Sequence, residues 1–260
     1  MSLDDALLDR YARHIVLKEI GGAGQMQLIT SHVTVIGAGG IGCPVIQYLA
    51  GAGIGTIRVI DDDVVALSNL QRQTLFGSED VGTAKAEAAM HAVARLNPHV
   101  KLIPIVQRLG ADNAETLLRH SDVIIDGSDN FSTRLIVSDM ATRLGTPLIS
   151  AAVGQFEGQL GVFRGWQEGQ SCYRCLIGAD PARADASCAD QGVLGALTGV
   201  MGSLAALEAI RALVPFGEDN AGKLLIVDLL SLRFRKLSVP ADPGCPACNA
   251  AALADQACPA

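Results

Sequence analysis

A run of closely spaced glycines follows the first strongly apolar segment of the chain. The run reads GAGGIG, with Gly37, Gly39, Gly40 and Gly42, and it lies between a β-branched stretch and a helical pattern. Glycines here let backbone N–H groups approach nucleotide phosphates at a helix N-terminus, where the helix dipole favours anions. Asp61 closes the next β-branched stretch, about 20 residues on, where a carboxylate can accept hydrogen bonds from ribose hydroxyls. These residues predict a nucleotide site, and taken alone they favour NAD.

Polar and cationic side chains soon after Asp61 shift the prediction from NAD to ATP. The segment from Asn69 to Gln73 contains Arg72, and Lys85 follows it closely. Arg72 suits bidentate phosphate binding, and Lys85 acts as a point charge. A nicotinamide cofactor needs few cations, whereas ATP brings three phosphates and a reaction that moves charge onto departing pyrophosphate. Taken singly, each cation could equally be a solvated surface charge.

A second carboxylate, Asp129, comes just after an apolar stretch that ends at Asp126. Ligands of doubly wound folds bind at the carboxyl edge of the sheet, so Asp129 should lie near the nucleotide. Mg²⁺ in such sites is usually held by one or two carboxylates together with substrate phosphates. Asp129 is therefore a candidate magnesium ligand. Its alternative role is to cap the helix predicted to begin near Phe131.

Four cysteines form two CxxC pairs, Cys172 with Cys175 and Cys245 with Cys248. Four thiolates are the ligand set of a tetrahedral structural Zn²⁺. The pairs lie too far apart for a usual zinc finger, so the site would form by tertiary contact and hold the C-terminal segment against the body of the fold. A redox pair is disfavoured, because neither pair lies at the start of a predicted βαβ helix.

Two further cysteines lie outside these pairs. Cys188 falls in a segment rich in Ala, Asp, Gly and Pro, at about 176–193, which predicts a long functional or crossover loop. Its loop position makes Cys188 a candidate reactive thiol, but no cationic neighbour in the sequence would lower its pKa, so both interpretations stay open. Cys43 follows the glycine run and is predicted to be a small buried residue.

Composition sets the class of protein. Of 260 residues, 49% are hydrophobic and 18% are charged, enough apolar material for one large domain with a two-sided sheet. The net charge of −7 argues against a nucleic-acid partner. The charged N-terminus does not resemble a signal peptide, and the least polar stretch, from Val193 to Leu207, is shorter than the roughly 20 residues of a membrane span. We expect a cytoplasmic protein without a membrane partner, and that stretch to be a buried helix.

Alternating β-branched and helical patterns predict the elements that position these side chains. They indicate an α/β fold with a doubly wound, mostly parallel sheet, preceded by a helical arm in which GGAGQ at Gly21 to Gln25 ends one helix or begins the next. Predicted strands include Leu102–Val106, Val123–Asp126, Pro147–Ala152 and Leu160–Phe163, followed by a hairpin of Leu224–Leu229 and Arg233–Val239 that gives the sheet a C-terminal antiparallel extension.

With these residues in view, the chain resembles the MoeB/ThiF/HesA family, the bacterial relatives of ubiquitin-activating enzymes. The likeness runs from about Tyr11 to Cys248 and is most specific at GAGGIG, DDDVVALSNLQRQ, VGTAKAE, GSDN, FEGQ and the paired CxxC knuckles. It implies a Rossmann-like adenylation domain at 29–250, an N-terminal helical arm at 1–28 and a flexible tail at 251–260.

The resemblance also implies an activity and partners. ATP and Mg²⁺ would serve to adenylate the C-terminal carboxylate of a small ubiquitin-like sulfur carrier ending in Gly-Gly, similar to MoaD or ThiS, with release of pyrophosphate. The enzyme would be a symmetric homodimer in which Arg13 reaches the partner's nucleotide. By the same matching, Gly39 and its neighbours hold ATP, Asp61 binds the ribose, Arg72 and Lys85 act on the phosphates, Asn69 and Gln73 line the site, and Asp129 positions Mg²⁺.

Other features are left open by the resemblance. Asp62 has no implied role, and Cys188 matches a loop cysteine that only some relatives use in a covalent link to their carrier. No rhodanese-like sequence follows Cys248, so a separate donor such as a cysteine desulfurase would supply sulfur. The molybdopterin and thiamine pathways are not separated. The alternatives are a zinc-stapled adaptor or sensor that binds ATP without turnover and, with less support, an NAD-dependent oxidoreductase.

Overall fold

The computed structural model describes residues 3–178 and 192–249. The chain begins with two helices, α1 (Asp5–Ile15) and α2 (Gly21–Thr30). The carboxylate of Asp4 caps α1 by accepting a hydrogen bond from the Leu7 amide at 2.9 Å. The segment GGAGQ therefore begins the second helix, which resolves the choice that the sequence left open.

The first half of the domain alternates strands and helices as the periodicity predicts. Two short 3₁₀ turns, Leu67–Asn69 and Ser78–Asp80, fill the connection after the second strand. The elements are β1 (His32–Ile36), α3 (Gly42–Ala52), β2 (Thr56–Ile60), α4 (Lys85–Leu96) and β3 (Lys101–Ile105).

The second half repeats this alternation and then changes to antiparallel strands. It consists of α5 (Ala114–Leu118), β4 (Val123–Asp126), α6 (Phe131–Leu144), β5 (Leu148–Gly154), β6 (Glu157–Phe163), α7 (Tyr173–Ile177), α8 (Gly195–Leu213), β7 (Lys223–Asp228) and β8 (Arg233–Ser238).

The strands form one eight-stranded sheet in the order β3-β2-β1-β4-β5-β6-β7-β8. The pairs from β3 to β5 are parallel, and those from β5 to β8 are antiparallel. Ile36 at the end of β1 lies beside Ile60 of β2 and Asp126 of β4. The segments after these three strands therefore leave the sheet at one edge, at the point where the strand order reverses and such folds bind ligands. The predicted mostly parallel sheet with an antiparallel extension is confirmed.

Both faces of the sheet are covered by helices. Successive strand residues alternate between two apolar clusters, as the two-residue period of a strand requires. Val35 and Val59 pack in a cluster with residues of α3, α4 and α8, whereas Ile36 and Ile60 pack in a cluster with residues of α5 and α6. This two-sided burial explains why the parallel strands read as nearly continuous β-branched runs.

Helix α8 is the core helix predicted from the apolar stretch at Val193 to Leu207. Among the described residues it is the one helix long and apolar enough to cross a membrane by length and composition. It contacts α3, β5 and β6. Leu197, Met201 and the polar residue Glu208 are all buried in it. Packing inside the domain accounts for its apolar composition.

Candidate functional site

A cavity of about 500 Å³ opens at the carboxyl edge of the sheet, between the segments that follow β1, β2 and β4. Its walls combine backbone turns with charged side chains. The structure brings most of the predicted nucleotide residues to this one cavity: Gly37, Gly39, Gly40, Asp61, Asn69, Arg72, Gln73, Lys85 and Asp129 all line it.

The glycines of the GAGGIG turn serve different purposes. Gly37 has a φ of +85°, a conformation that side chains disfavour. A Cβ on Gly42 would lie 1.9 Å from the Gly37 carbonyl oxygen, and one on Gly40 would lie 2.9 Å from Thr198 Cγ2 of α8. At Gly39 the nearest such contact is 3.9 Å away. Gly39 is thus open to the cavity, whereas Gly42, which is not among the described lining residues, is needed to close the turn.

Asp61 is fixed by the backbone at the end of β2. One carboxylate oxygen accepts a hydrogen bond from the Ala38 amide at 2.7 Å, and the other accepts one from the Asp63 amide at 2.9 Å. Burial raises the pKa of this carboxyl group, and the charge of Lys85 and the two amide bonds oppose the rise. The side chain is therefore held rigidly against the glycine turn, where it can meet a ribose.

Lys85 is the first residue of α4 and points into the cavity wall. Its side chain is 7% exposed, and Nζ donates to Asp63 Oδ2 at 2.7 Å. The Lys85 amide also donates to the Asp63 carbonyl at 2.9 Å. The sequence analysis missed Asp63, although it belongs to the acidic run after β2. Asp62 lines the cavity as well, and its carboxylate makes no hydrogen bond or ion pair with the part of the chain that the structure describes.

The turn between β2 and α4 presents Arg72 and Gln73. The amides of both residues donate to the Asn69 carbonyl at 3.0 Å, so the three residues form one compact turn. The Arg72 guanidinium donates to the Ser68 carbonyl at 3.2 Å and is half-buried. Gln73 is 2% exposed, and its side-chain oxygen has no hydrogen-bond partner within the described residues. A buried orphan acceptor beside a cavity is what a ligand donor would satisfy.

Asp129 does not cap α6, so the alternative role predicted for it is wrong. Asn130 is the N-cap, and its side-chain oxygen accepts from the Thr133 amide at 2.8 Å. The amide side chain has the short reach and the acceptor that this position requires. Asp129 is left exposed at the cavity rim. An exposed carboxylate at the cavity rim suits a Mg²⁺ ion that takes its other oxygen ligands from phosphates and water.

The four predicted zinc cysteines meet in space. Their sulfur atoms all lie within 4.8 Å of one another, with Sγ–Sγ distances of 3.9 Å for Cys172–Cys175, 3.6 Å for Cys172–Cys245 and 3.3 Å for Cys175–Cys248. A tetrahedral zinc site with Zn–S bonds of about 2.3 Å places its sulfurs about 3.8 Å apart. The cluster therefore fits Zn²⁺ and links the end of the described chain to α7.

The cluster is also tied to the helix that begins at the cavity. Arg174, between the first two cysteines, donates to both carboxylate oxygens of Asp139 in α6, each at 2.7 Å. The Asp242 amide donates to Cys175 Sγ at 3.4 Å. Such outer contacts orient metal ligands. Helix α6 thus connects the cysteine cluster with the turn that carries Asp129.

Three residues lie apart from the cavity or outside the described structure. Cys188 lies outside the described residues, so both interpretations of its thiol stay predictions. Cys43 is buried as predicted, its thiol donates to the Ala38 carbonyl at 3.3 Å, and burial raises the pKa of that thiol to about 12. Arg13 is exposed on α1 and is not among the described residues lining its own chain's cavity. Its reach to a partner's nucleotide stays a prediction.

The profile of the ThiF family matches residues 11–247, which is most of the chain. The chain belongs to the ThiF family. The matched span includes all of the described residues that line the cavity and three of the four clustered cysteines. It ends one residue before Cys248.

Three named proteins are similar to this chain over nearly their whole length. The sulfur carrier protein adenylyltransferase of Thermus thermophilus is 46% identical over 246 residues, covering 93% of this chain and 91% of that protein. The SAMP-activating enzyme E1 of Haloferax volcanii is 43% identical, covering 96% and 92%. The molybdopterin-synthase adenylyltransferase of Salmonella typhimurium is 40% identical, covering 95% and 98%. Two of these proteins are named as adenylyltransferases and the third as an activating enzyme, and the three names specify different protein substrates.

Solved structures agree on the fold. The crystal structure of Escherichia coli MccB with MccA-N7isoASN has a TM-score of 0.81 to this chain at 23% identity, covering 92% of this chain and 75% of that one. At this identity the likeness concerns the fold alone.

One further residue of this ThiF-family cavity was missed by the sequence analysis. Arg134, in the first turns of α6, lines the cavity and is buried. The available signal was its position shortly after GSDN, on the helix that Asn130 caps. A periodicity argument cannot find it, because an arginine at a helix face is usually solvated.

Proposed function

We propose that this chain uses ATP to adenylate the C-terminal carboxylate of a ubiquitin-like sulfur-carrier protein, forming an acyl-adenylate and pyrophosphate. The observation that carries the proposal is the convergence, in one cavity, of the glycine turn, Asp61, Arg72 and Lys85. A dinucleotide site would need the first two features, whereas the two cations suit a polyphosphate whose leaving group gains charge. The names of two similar proteins, both adenylyltransferases, support the same reaction type.

The proposed chemistry consists mostly of positioning and charge neutralisation. The attacking carboxylate is already ionised at neutral pH, so the reaction requires no general base. Gly39 leaves space for the phosphates, and Asp61 would fix the ribose. Arg72 and Lys85 would stabilise the charge that develops on pyrophosphate. In the structure, Lys85 Nζ donates to Asp63. When ATP is bound, the phosphates would accept hydrogen bonds from other N–H groups of the same ammonium group.

Two metals have distinct proposed roles. Asp129 would help to hold Mg²⁺, which supplies positive charge to the phosphates when it is bound. The four cysteines would hold Zn²⁺ as a structural ion, because four protein ligands leave no open position for substrate. We therefore expect nucleotide chemistry to depend on Mg²⁺ and folding to depend on Zn²⁺.

The assembly that we propose has several parts beyond the single chain. The enzyme acts as a cytoplasmic homodimer, with Arg13 contributing to the partner's nucleotide site and residues 1–28 serving as the arm that carries it. A domain at 29–250 performs the adenylation, and the tail predicted at 251–260 lies outside the described residues. The carrier ends in Gly-Gly and receives its sulfur from a separate donor such as a cysteine desulfurase. The carrier decides between a molybdopterin, a thiamine and another sulfur pathway.

The deciding experiment is ATP–pyrophosphate exchange by the purified chain with Mg²⁺ and MoaD-like or ThiS-like carriers from the same organism. Each carrier is tested with and without its terminal Gly. Exchange that requires one intact carrier supports the proposal and names the pathway. If no carrier gives exchange while the folded protein still binds ATP, the adaptor or sensor interpretation takes its place. Binding of NAD in preference to ATP would revive the oxidoreductase.

A further inference from the structure

Arg134 is a buried cation in the wall of the nucleotide cavity. It lies in α6, is 7% exposed and borders the same space as Asp129 and Lys85. Arginine is seldom buried this far, because a guanidinium loses hydration unless hydrogen bonds replace it. The partners of Arg134 therefore indicate what its burial achieves.

The hydrogen bonds of Arg134 join two separate segments. Nη2 donates to the Ala151 carbonyl at 3.0 Å, and Nη1 donates to Ser150 Oγ at 3.2 Å, both in β5. Nη2 also donates to the carbonyl of Ser128, in the loop between β4 and α6. The rigid fork of the guanidinium thus ties that loop to the neighbouring strand.

The loop is also joined to β1, because the Gly127 amide donates to the Ile36 carbonyl at 3.0 Å, and two further bonds are local. The Ser128 amide donates to Asp126 Oδ1 at 2.9 Å, and the Thr133 amide donates to Asn130 Oδ1 at 2.8 Å. These bonds shape the turn but do not fix it to β5. Asp129 lies between the two anchored residues, with its carboxylate at the cavity. Gly127 fixes the start of the loop to β1, and the guanidinium fixes the next residue, Ser128, to β5, so it helps to set where the Asp129 backbone lies.

Within residues 3–178 and 192–249, the charge of Arg134 is not neutralised by a neighbour. Among the described residues, no carboxylate oxygen lies within 4.0 Å of its nitrogens. All three acceptors described above are neutral oxygens. A buried positive charge beside a cavity favours anions there, since screening by water is weak. The residue can therefore support a polyphosphate without touching it.

We propose that Arg134 is a positioning residue for the magnesium form of the nucleotide. It holds the Ser128 carbonyl against β5, so that Asp129 is already placed where a phosphate-bound Mg²⁺ needs a carboxylate. The proposal rests on the proposed ATP-dependent function and adds to it a residue that acts through another. A lysine would keep the charge but could not span the three acceptors.

The test compares nucleotide binding with and without magnesium in the full-length protein. Calorimetric titration with ATP in chelator and with Mg²⁺-ATP should show about a tenfold loss of Mg²⁺-ATP affinity in Arg134→Lys, and less than about a twofold loss of metal-free ATP affinity. Exchange at saturating nucleotide should fall by about a hundredfold, since misplacing a ligand by about 1 Å has effects of that size. Arg143→Lys, at an exposed position of the same helix, is the matched control and should leave every value unchanged.

A milder variant keeps the proposal testable if Arg134→Lys fails to fold. Ser150→Ala removes one acceptor while keeping Arg134, and it should shift Mg²⁺-ATP affinity in the same direction by a smaller factor. If Arg134→Lys lost the same affinity with and without Mg²⁺, Arg134 would be a direct phosphate ligand and the proposal would be overturned. Unchanged Mg²⁺-ATP binding in Arg134→Lys would also overturn it. These titrations need no carrier. Absence of exchange with every carrier would therefore count against the proposed function and leave this inference to be decided by binding.

Discussion

At the scale of single residues, the two phosphate-facing cations differ in how the fold prepares them. Lys85 is buried and already paired with Asp63, whereas the half-buried Arg72 donates to a nearby backbone carbonyl. Both would act on charge that appears only as pyrophosphate departs. Interactions that strengthen in the transition state change turnover more than binding.

Lys85→Ala and Arg72→Ala should therefore lower the rate of carrier-dependent exchange by about 10²- to 10³-fold, while weakening ATP binding by about tenfold or less. Exchange kinetics and calorimetric titration measure the two quantities on the same samples. Lys101→Ala, at an exposed position of β3, is the control and should behave as wild type. A loss of ATP affinity with an unchanged exchange rate at saturating ATP would mean that the cations only bind the ground state.

Two glycines of α3 give a matched test of the turn. At Gly42 a Cβ would lie 1.9 Å from the Gly37 carbonyl oxygen, whereas a Cβ at Gly51 would meet no described atom within 4 Å outside its own helix backbone. Gly42→Ala should lower the free energy of unfolding by about 2–4 kcal/mol, as backbone clashes do. Gly51→Ala should raise it by about 0.5–1 kcal/mol, because alanine restricts the unfolded chain. Denaturant unfolding measures both, and a Gly42→Ala protein as stable as wild type would contradict the assigned packing role.

At the scale of secondary-structure elements, much of the sheet could be predicted from sequence. Val123–Asp126 is a strand with the predicted bounds, because a strand buried on both faces must be apolar throughout. The start of β6 was missed: the prediction began at Leu160, whereas the strand begins at Glu157, where side chains alternate between exposed and buried. The cap of α6 went to Asn130 rather than Asp129 because neighbouring Asn and Asp both suit a cap, and tertiary geometry selects between them.

Site residues divide in the same way. The glycine turn and Asp61 were predicted because a βαβ unit fixes their spacing. The four cysteines were predicted because four thiolates are the ligand set of one zinc ion. Asp63 and Arg134 were not found, because their roles depend on partners that approach across the fold. A hydrogen bond between a loop and a neighbouring strand leaves no periodic trace in sequence.

The cysteine cluster belongs to this scale, because it joins α7 to the last described segment. Chelation of the metal, or Cys245→Ser, should lower the melting temperature by about 10 °C, which at about 2–4 °C per kcal/mol corresponds to a few kcal/mol. Elemental analysis should find zinc in the wild-type protein and in Cys43→Ala, whose residue lies outside the cluster. A metal-free protein with the same melting temperature as the wild type would refute a stabilising role for zinc.

At the scale of the whole molecule, the cavity and the cysteine cluster share one support. Helix α6 begins at the turn that carries Asp129 and, further along, holds Arg174 through Asp139. Strain at the cysteine cluster, or loss of its metal, can therefore be transmitted to the cavity through α6. Arg13 lies on α1, away from the described lining of its own chain's cavity, so its proposed role needs a second copy.

That role can be tested by complementation between two impaired chains. Suppose that Arg13 acts in the partner's site. A dimer of one Arg13→Ala chain and one Lys85→Ala chain then has one complete site, because the first chain keeps Lys85 and receives Arg13 from the second. Random assembly of a symmetric dimer makes about half of the dimers mixed, with one working site in two. Co-expression of the two variants should therefore give about a quarter of wild-type exchange, far above the residual exchange of either variant alone. If Arg13 served its own chain, every site would lack one residue, and no activity would return.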